Sequence, residues 1–228
     1  MIEQLQKVEV FNNCTRELLV KISENLVLKD ESPGTTILSH GDDSKNVYII
    51  FEGSAMIVQL AEDGKVVGLE LIKSGGCFGE MSAIDGSRRS ASVVSLGHVK
   101  LGVLNYTFFR NYVLKDYDFC RALLAKFSIV VRRANQQIFS LATANARNRL
   151  LLQVVRLSSI NKLEPSIMTL EEGLSHTAIG SFAGISRETV TRLIGDLKSD
   201  NIIWSNKSGH LEMNIEKVYK ELSSLLNT

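Results

Sequence analysis

"LSHTAIGSFAGISRETVTRLIGDLKSDNIIWSNKSGHLEM", Leu174 to Met213, decides how the rest of this 228-residue chain is read. Ser175 stands where a hydroxyl can cap a helix running to Ala183, and Gly184 can supply the left-handed turn that ends it. Ser186 can cap a second helix reaching about Ser199. "IIWSNKSGHLEM" then reads as a hairpin turning at Lys207, Ser208 and Gly209. The order is helix, turn, helix and wing.

Place Arg187 at zero and step about 100 degrees per residue. Glu188, Thr191 and Arg192 then fall within about 140 degrees, whereas Val190, Leu193, Ile194 and Leu197 occupy about 240 to 340 degrees. The apolar face anchors the helix. The other face suits the major groove of double-stranded DNA, because a guanidinium can bond guanine O6 and N7 together and a carboxylate can accept from the cytosine amino group. Ser175, Thr177, Ser186 and Thr189 lie near helix N-termini, where hydroxyls and free backbone N–H groups suit phosphate oxygens. The plainer alternative is a solvated face on which Glu188 and Arg192 form an i,i+4 ion pair. The turn before this helix and the hairpin after it favour DNA.

Upstream, "ARNRLLLQVVRLSSI" (146–160) reads as helical and "NKLEPSI" (161–167) as a loop. Further back, Leu123, Phe127, Val130, Ala134, Gln137 and Leu141 are spaced 4, 3, 4, 3 and 4 apart in a stretch without Gly or Pro. That is a heptad seam along one long helix. It can pack on its own domain, but a second charged face, "KFSIVVRRANQQ" (126–137), favours pairing with a twin helix in a homodimer. From Ser32 to about Leu104, short apolar runs alternate with turn clusters, and Val99, Leu101 and Val103 alternate with Lys100, Gly102 and Leu104. This reads as a compact β-roll. At the far end, "EKVYKELSSLLNT" (216–228) predicts an amphipathic helix with Val218, Leu222 and Leu225 on one side.

The β-roll contains "FGEMSAIDGSRRSASV", Phe78 to Val93. It sets one carboxylate, Glu80, beside a glycine, and two arginines, Arg88 and Arg89, before small residues. The two charges can simply pair with each other on the surface, although the small Gly79, Ser90 and Ala91 flanking them favour a cradle for an anion.

Bulk properties narrow the alternatives. The formal net charge is +1 and hydrophobic residues make up 44%. From Thr143 onward ten Lys and Arg face nine Asp and Glu, so polyanion binding must come from a few placed residues. Cys14, Cys77 and Cys120 are widely separated, as are His40, His98, His176 and His210, which gives no disulfide framework and no metal-ligand spacing. No apolar run reaches a membrane span and no signal peptide is evident, so a cytoplasmic protein is expected. The absence of a GxSxG or phosphate-binding Walker loop leaves no foothold for an enzyme.

Taken together, "FGEM…RRSA" and "SRETVTRL" resemble the phosphate-binding cassette and the recognition helix of the cyclic-AMP receptor branch of the Crp/Fnr regulators. The resemblance runs nearly the whole chain in the same order. It implies an α+β protein with a cyclic-nucleotide-binding β-roll (1–115), a dimerisation helix (116–142) and a winged helix-turn-helix DNA-binding domain (143–228). It further implies a homodimer that binds cyclic AMP and TGTGA-like palindromes, with RNA polymerase as a partner. In the cassette, Glu80 would accept the ribose 2'-hydroxyl and Arg89 would fork onto the cyclic phosphate. The N–H groups around Gly79, Met81, Ser90 and Ala91, with the Ser90 hydroxyl, would complete the nest, and Arg88 would face solvent or serve structure. Arg187, Glu188 and Arg192 would read bases. Where relatives hold adenine with a Thr-Ser pair on the dimer helix, alignment through "NARNRLLLQ" puts Ala134 and Asn135; an asparagine amide can serve adenine or another base edge. Cyclic GMP, cyclic di-GMP or no ligand at all therefore stay open as alternatives. The cysteine cluster of the iron-sulfur branch is reduced to Cys14, so neither haem nor an iron-sulfur cluster is expected.

Overall fold

The computed structural model describes residues 1–162 and 164–226, and side chains up to residue 223. Leu163 of the predicted loop and the Leu225 side chain of the predicted C-terminal helix lie outside the described residues. The chain divides into two compact units, residues 1–59 with 69–134, and residues 60–68 with 135–228.

In chain order the first unit begins with α1 (Ile2–Gln6), α2 (Arg16–Glu24), β1 (Leu26–Glu31), β2 (Thr36–Leu38), β3 (Val47–Glu52) and β4 (Ser54–Leu60). It continues with β5 (Val66–Lys73), β6 (Cys77–Phe78), α3 (Glu80–Asp85), β7 (Ser92–Ser95), β8 (Val99–Leu104) and α4 (Tyr106–Asn111), and then enters α5 (Tyr117–Thr143). The strands form two four-stranded sheets in the orders β1-β8-β3-β6 and β2-β7-β4-β5. The predicted alternation in β8 holds only at Lys100. Gly102 and Leu104 are buried as well, because Leu26 and Phe51 close over Gly102, and the strand is covered on both faces.

The helix α5 starts where the Asp116 carboxylate accepts from the Phe119 N–H at 2.9 Å. It runs 27 residues without a helix breaker. Its first turns do not form the predicted seam. Phe119 and Leu123 are buried in the roll's core, with Phe127 packed against them, so this part of the seam faces its own domain. The exposed apolar residues of α5 include Leu124, Val131 and Ile138, one position beyond the seam and seven residues apart, together with Ile129, Phe139 and the seam residue Leu141.

The second unit holds α6 (Ala146–Arg156), β9 (Ser158–Ile160), β10 (Ile167–Leu170), α7 (His176–Ala183), α8 (Arg187–Ser199), β11 (Ile203–Ser205), β12 (Leu211–Asn214) and α9 (Ile215–Leu226). Asn145 caps α6 by accepting from the Asn148 N–H. "SSI", read from sequence as the end of that helix, is instead the strand β9, paired with β10 in a sheet of order β11-β12-β10-β9. In α9, Val218 and Leu222 are buried as its amphipathic pattern requires.

A buried amide chain joins three helices of this unit. Gln137 Nε2 on α5 donates to the Phe182 carbonyl at the end of α7 at 2.7 Å, and Gln153 Nε2 on α6 donates to Gln137 Oε1. The carbonyl acceptor fixes both amide orientations, so no flip relieves Gln153 Oε1, which is buried without a partner among the described residues.

Candidate functional site

The segment from Cys77 to Ala91 crosses from β6 in one sheet to β7 in the other. Gly79 turns the chain into α3 at φ +81°, and Gly86 ends that helix at φ +76°. A Cβ on Gly79 would stand 2.8 Å from Arg89 Nη1 and 3.0 Å from the Asn46 carbonyl, so a glycine is required there for space as well as for conformation.

Arg89 lies in the interior, only 3% exposed. Its Nε donates to Ser44 Oγ at 3.1 Å, its Nη1 to the Gly79 carbonyl at 2.7 Å and to Ser82 Oγ at 2.6 Å, and its Nη2 to the Asn46 carbonyl at 2.7 Å. Four of the five guanidinium N–H groups are thus committed to the fold. The cation also sits 5.9 Å above the Tyr48 ring, which stacks on Phe78. Burial pulls the guanidinium below its ordinary pKa, opposed by Tyr48, Asp42 and Glu80. Among the described residues no carboxylate lies within ion-pair distance of it.

Glu80 is equally buried and does not pair with Arg89. Its Oε1 accepts from Lys126 Nζ of α5 at 2.6 Å, and the same ammonium donates to the Cys77 carbonyl at 2.7 Å and faces Cys77 Sγ at 3.5 Å. Burial disfavours the Lys126 charge, but Cys77 and Glu80 outweigh it and hold the group above the usual lysine range. Burial also pushes the Cys77 thiol up to about 11, leaving it neutral at pH 7, so Glu80 is the effective counterion. Ser90 is exposed, its hydroxyl 3.9 Å from Met81 Sδ; Met81 is exposed and Ala91 buried. Among the described residues the Ser90 and Ala91 N–H groups have no acceptor, and Arg88 is exposed. Ala134 and Asn135 occupy exposed positions on α5. Sequence reasoning missed Ser44, Asn46, Ser82 and Lys126. Only Ser82 lies within the motif where local spacing could have flagged it.

In the second unit the two caps form as read: Ser175 Oγ accepts from the Ala178 N–H and Ser186 Oγ from the Thr189 N–H. Gly184 takes φ +64° between the helices. Val190, Leu193, Ile194 and Leu197 are buried, and Thr177, Arg187, Glu188, Thr191 and Arg192 are exposed, with Thr189 between. Arg192 pairs with Asp196 at 3.3 Å rather than with Glu188. Glu188 bonds its own N–H and Ser186 instead, which holds its carboxyl below the usual range. His176 Nδ1 lies 2.8 Å from Thr191 Oγ1, tying α7 to the exposed face of α8. In the wing, Trp204 Nε1 donates to Glu212 at 3.0 Å, and Asn206 holds the other oxygen of that carboxylate.

Among the described residues no group of three or more His, Cys, Asp or Glu gathers as a metal site, and no helix is long and apolar enough to cross a membrane.

Residues 29–116 match the cyclic nucleotide-binding domain family, and residues 149–218 match the Crp-like helix-turn-helix domain family. The chain is similar to the cAMP-activated global transcriptional regulator CRP of Haemophilus influenzae, at 27% identity over 74% of this chain and 76% of that one. Among solved structures it resembles a Crp/Fnr-family transcriptional regulator from Thermus thermophilus, with TM-score 0.67 and 25% identity over 87% of this chain and 98% of the other. The fold also matches the c-di-GMP responsive global regulator CLP of Xanthomonas campestris, with TM-score 0.71 and 18% identity over 88% of this chain and 99% of the other. With a cassette in a β-roll and a capped helix pair with a wing matched in turn by these two domain families, the chain belongs to the Crp/Fnr family of cyclic-nucleotide-responsive, DNA-binding transcription regulators.

Proposed function

We propose that the ligand is cyclic AMP and that the chain acts as a homodimer on palindromes with TGTGA-like half-sites. One observation carries the ligand reading. The Arg89 guanidinium is buried with its hydrogen bonds satisfied by neutral groups, yet no anion lies on it among the described residues, and a buried charge without a counterion is costly. A cyclic phosphate beside the open Ser90 and Ala91 N–H groups would supply that anion, assisted by Gly79, Met81 and the Ser90 hydroxyl. The remaining Nη2 hydrogen is available to it, and forking would exchange a bond now made to the fold. Glu80 would take the ribose hydroxyl, and Ala134 and Asn135 would face the base.

The exposed residues Leu124, Val131 and Ile138 support pairing of α5 with its twin across residues 116–142. In the DNA-binding part, residues 143–228, Arg187, Glu188 and Arg192 would read bases. Ser175, Thr177, Ser186 and Thr189 would meet phosphates, with RNA polymerase the further partner at the promoter.

The test is a gel-shift titration on a TGTGA-palindrome duplex at one fixed salt concentration, with and without each cyclic nucleotide. Binding that requires cyclic AMP and is lost in Arg89→Ala is the expected result. Equally tight binding without nucleotide would count against cyclic-AMP control. A response to cyclic di-GMP in its place would favour the alternative that Asn135 leaves open.

A further inference from the structure

Lys126 reaches the cassette from α5, 46 residues along the chain from Glu80, and no motif pointed to it. Its three N–H groups are directed at the Cys77 carbonyl, Cys77 Sγ and Glu80 Oε1. None is left over for a ligand, so whatever Lys126 does to a ligand it does through Glu80. The second carboxylate oxygen, Oε2, has no partner among the described residues and stays free to accept.

The charges buried at this place are few. The cations are Arg89 and the partly buried Lys126, and Glu80 is the anion. Asp42 acts on Arg89 but is exposed, where solvent and salt weaken it. Glu70 is held by Arg133 at 3.0 Å, Arg88 points outward, and the Cys77 thiol is neutral. One positive charge remains after Lys126 and Glu80 cancel.

We propose that Lys126 is the positioning residue that fixes the charge of the nucleotide site: by neutralising Glu80 it leaves the single cation Arg89 to face the ligand. This selects a cyclic mononucleotide, with one phosphate charge, over a cyclic dinucleotide, with two. The inference rests on the nucleotide reading above. Without Lys126 the buried Glu80 carboxylate would cancel Arg89 and repel the phosphate beside it. With Lys126 the carboxylate can hold a sugar hydroxyl without opposing the phosphate.

The test is titration calorimetry of the full chain with cyclic AMP and with cyclic di-GMP, together with thermal unfolding of each variant. The unaltered chain is expected to bind cyclic AMP more tightly than cyclic di-GMP. Lys126→Met should weaken cyclic AMP binding by about tenfold or more, and Lys126→Arg should stay within about threefold. The decisive variant is Lys126→Met combined with Glu80→Gln, which buries neither charge and leaves an amide oxygen for the sugar. It should recover most of the affinity lost in Lys126→Met, whereas a role as a mechanical tether of α5 would be lost in both. Unchanged cyclic AMP affinity in Lys126→Met overturns the proposal, as does a double variant that folds but binds no better than the single, or tighter binding of cyclic di-GMP by the unaltered chain. If the unaltered chain binds neither nucleotide, the nucleotide reading itself fails and this proposal falls with it.

Discussion

The Arg89 guanidinium crosses the cassette against Gly79, its Nη1 2.7 Å from the glycine carbonyl and 2.8 Å from where a Cβ would stand. The turn and the arginine are therefore one unit. Gly79→Ala is expected to lower stability by about 2–4 kcal/mol, since the left-handed backbone costs about 1–2 kcal/mol and buried bonds to Arg89 are lost as well. Gly86→Ala, at φ +76° but in open space, should show the backbone part alone, about 1–2 kcal/mol. Urea denaturation of the two variants measures the difference; equal losses would mean that Arg89 moves aside freely.

Arg187→Ala removes an exposed side chain that holds no part of the core, so folding should be unaffected. DNA binding should weaken by about 1–3 kcal/mol on the preferred palindrome and much less on scrambled duplex. Ser175→Ala should weaken both alike and cost about 1 kcal/mol of stability through the lost cap. Competition binding at fixed salt separates the two patterns, and an equal fall on both duplexes for Arg187→Ala would remove its base-reading role.

Leu124 and Ile138 are each 66% exposed on α5. If they pack on a twin helix, each apolar side chain contributes about 1.5–3 kcal/mol on burial and appears twice in a dimer. Leu124→Glu and Ile138→Glu should therefore shift the chain to monomer at micromolar concentration in sedimentation velocity, with the unfolding temperature of the isolated chain little changed. A dimer that survives both substitutions would place the interface elsewhere.

Burial raises the Cys77 thiol from 9.0 to about 11 in the folded chain. Raising the pKa of an acid on folding means that the unfolded chain loses the proton first. Stability is then fully present below about pH 9 and falls as pH rises toward 11. Denaturation midpoints at pH 8 and pH 10.5 should differ in that direction, and Cys77→Ala should reduce the difference. Thiol reagents should react slowly with Cys77 in the native state near pH 8 and rapidly in urea.

What could be read from the sequence follows the range of the interactions involved. The caps Ser175 and Ser186 and the Gly184 turn depend on atoms three or four residues away, and these were legible. So was the apolar face of α8, because its four buried residues repeat with the helix. The first turns of the α5 seam were misread, since a 3.5-residue repeat laid on a 3.6-residue helix does not say which side a neighbouring core will take. Phe11, which stacks on Phe119, comes from a distant segment, and Phe109 meets the same ring edge-on from α4. The same limit hid the partners of the cassette. Ser44 and Asn46 precede Arg89 by 45 and 43 residues, and only the crossing from β6 to β7 brings them under its guanidinium. Glu80 and Arg89 were identified by their motif, but that their partners are Lys126 and a ring of neutral oxygens is a fact of tertiary structure.

The sole tryptophan of the chain is Trp204, on the wing strand β11, half-buried and held by Glu212. Light absorbed by indole alone is therefore emitted from one hairpin, beside the helix that carries Arg187, and from nowhere else in the molecule. The protein carries its own optical probe in the wing of its DNA-binding unit. Emission colour and quenching during a titration would follow the wing without any label, while the five tyrosines and nine phenylalanines stay dark at that excitation.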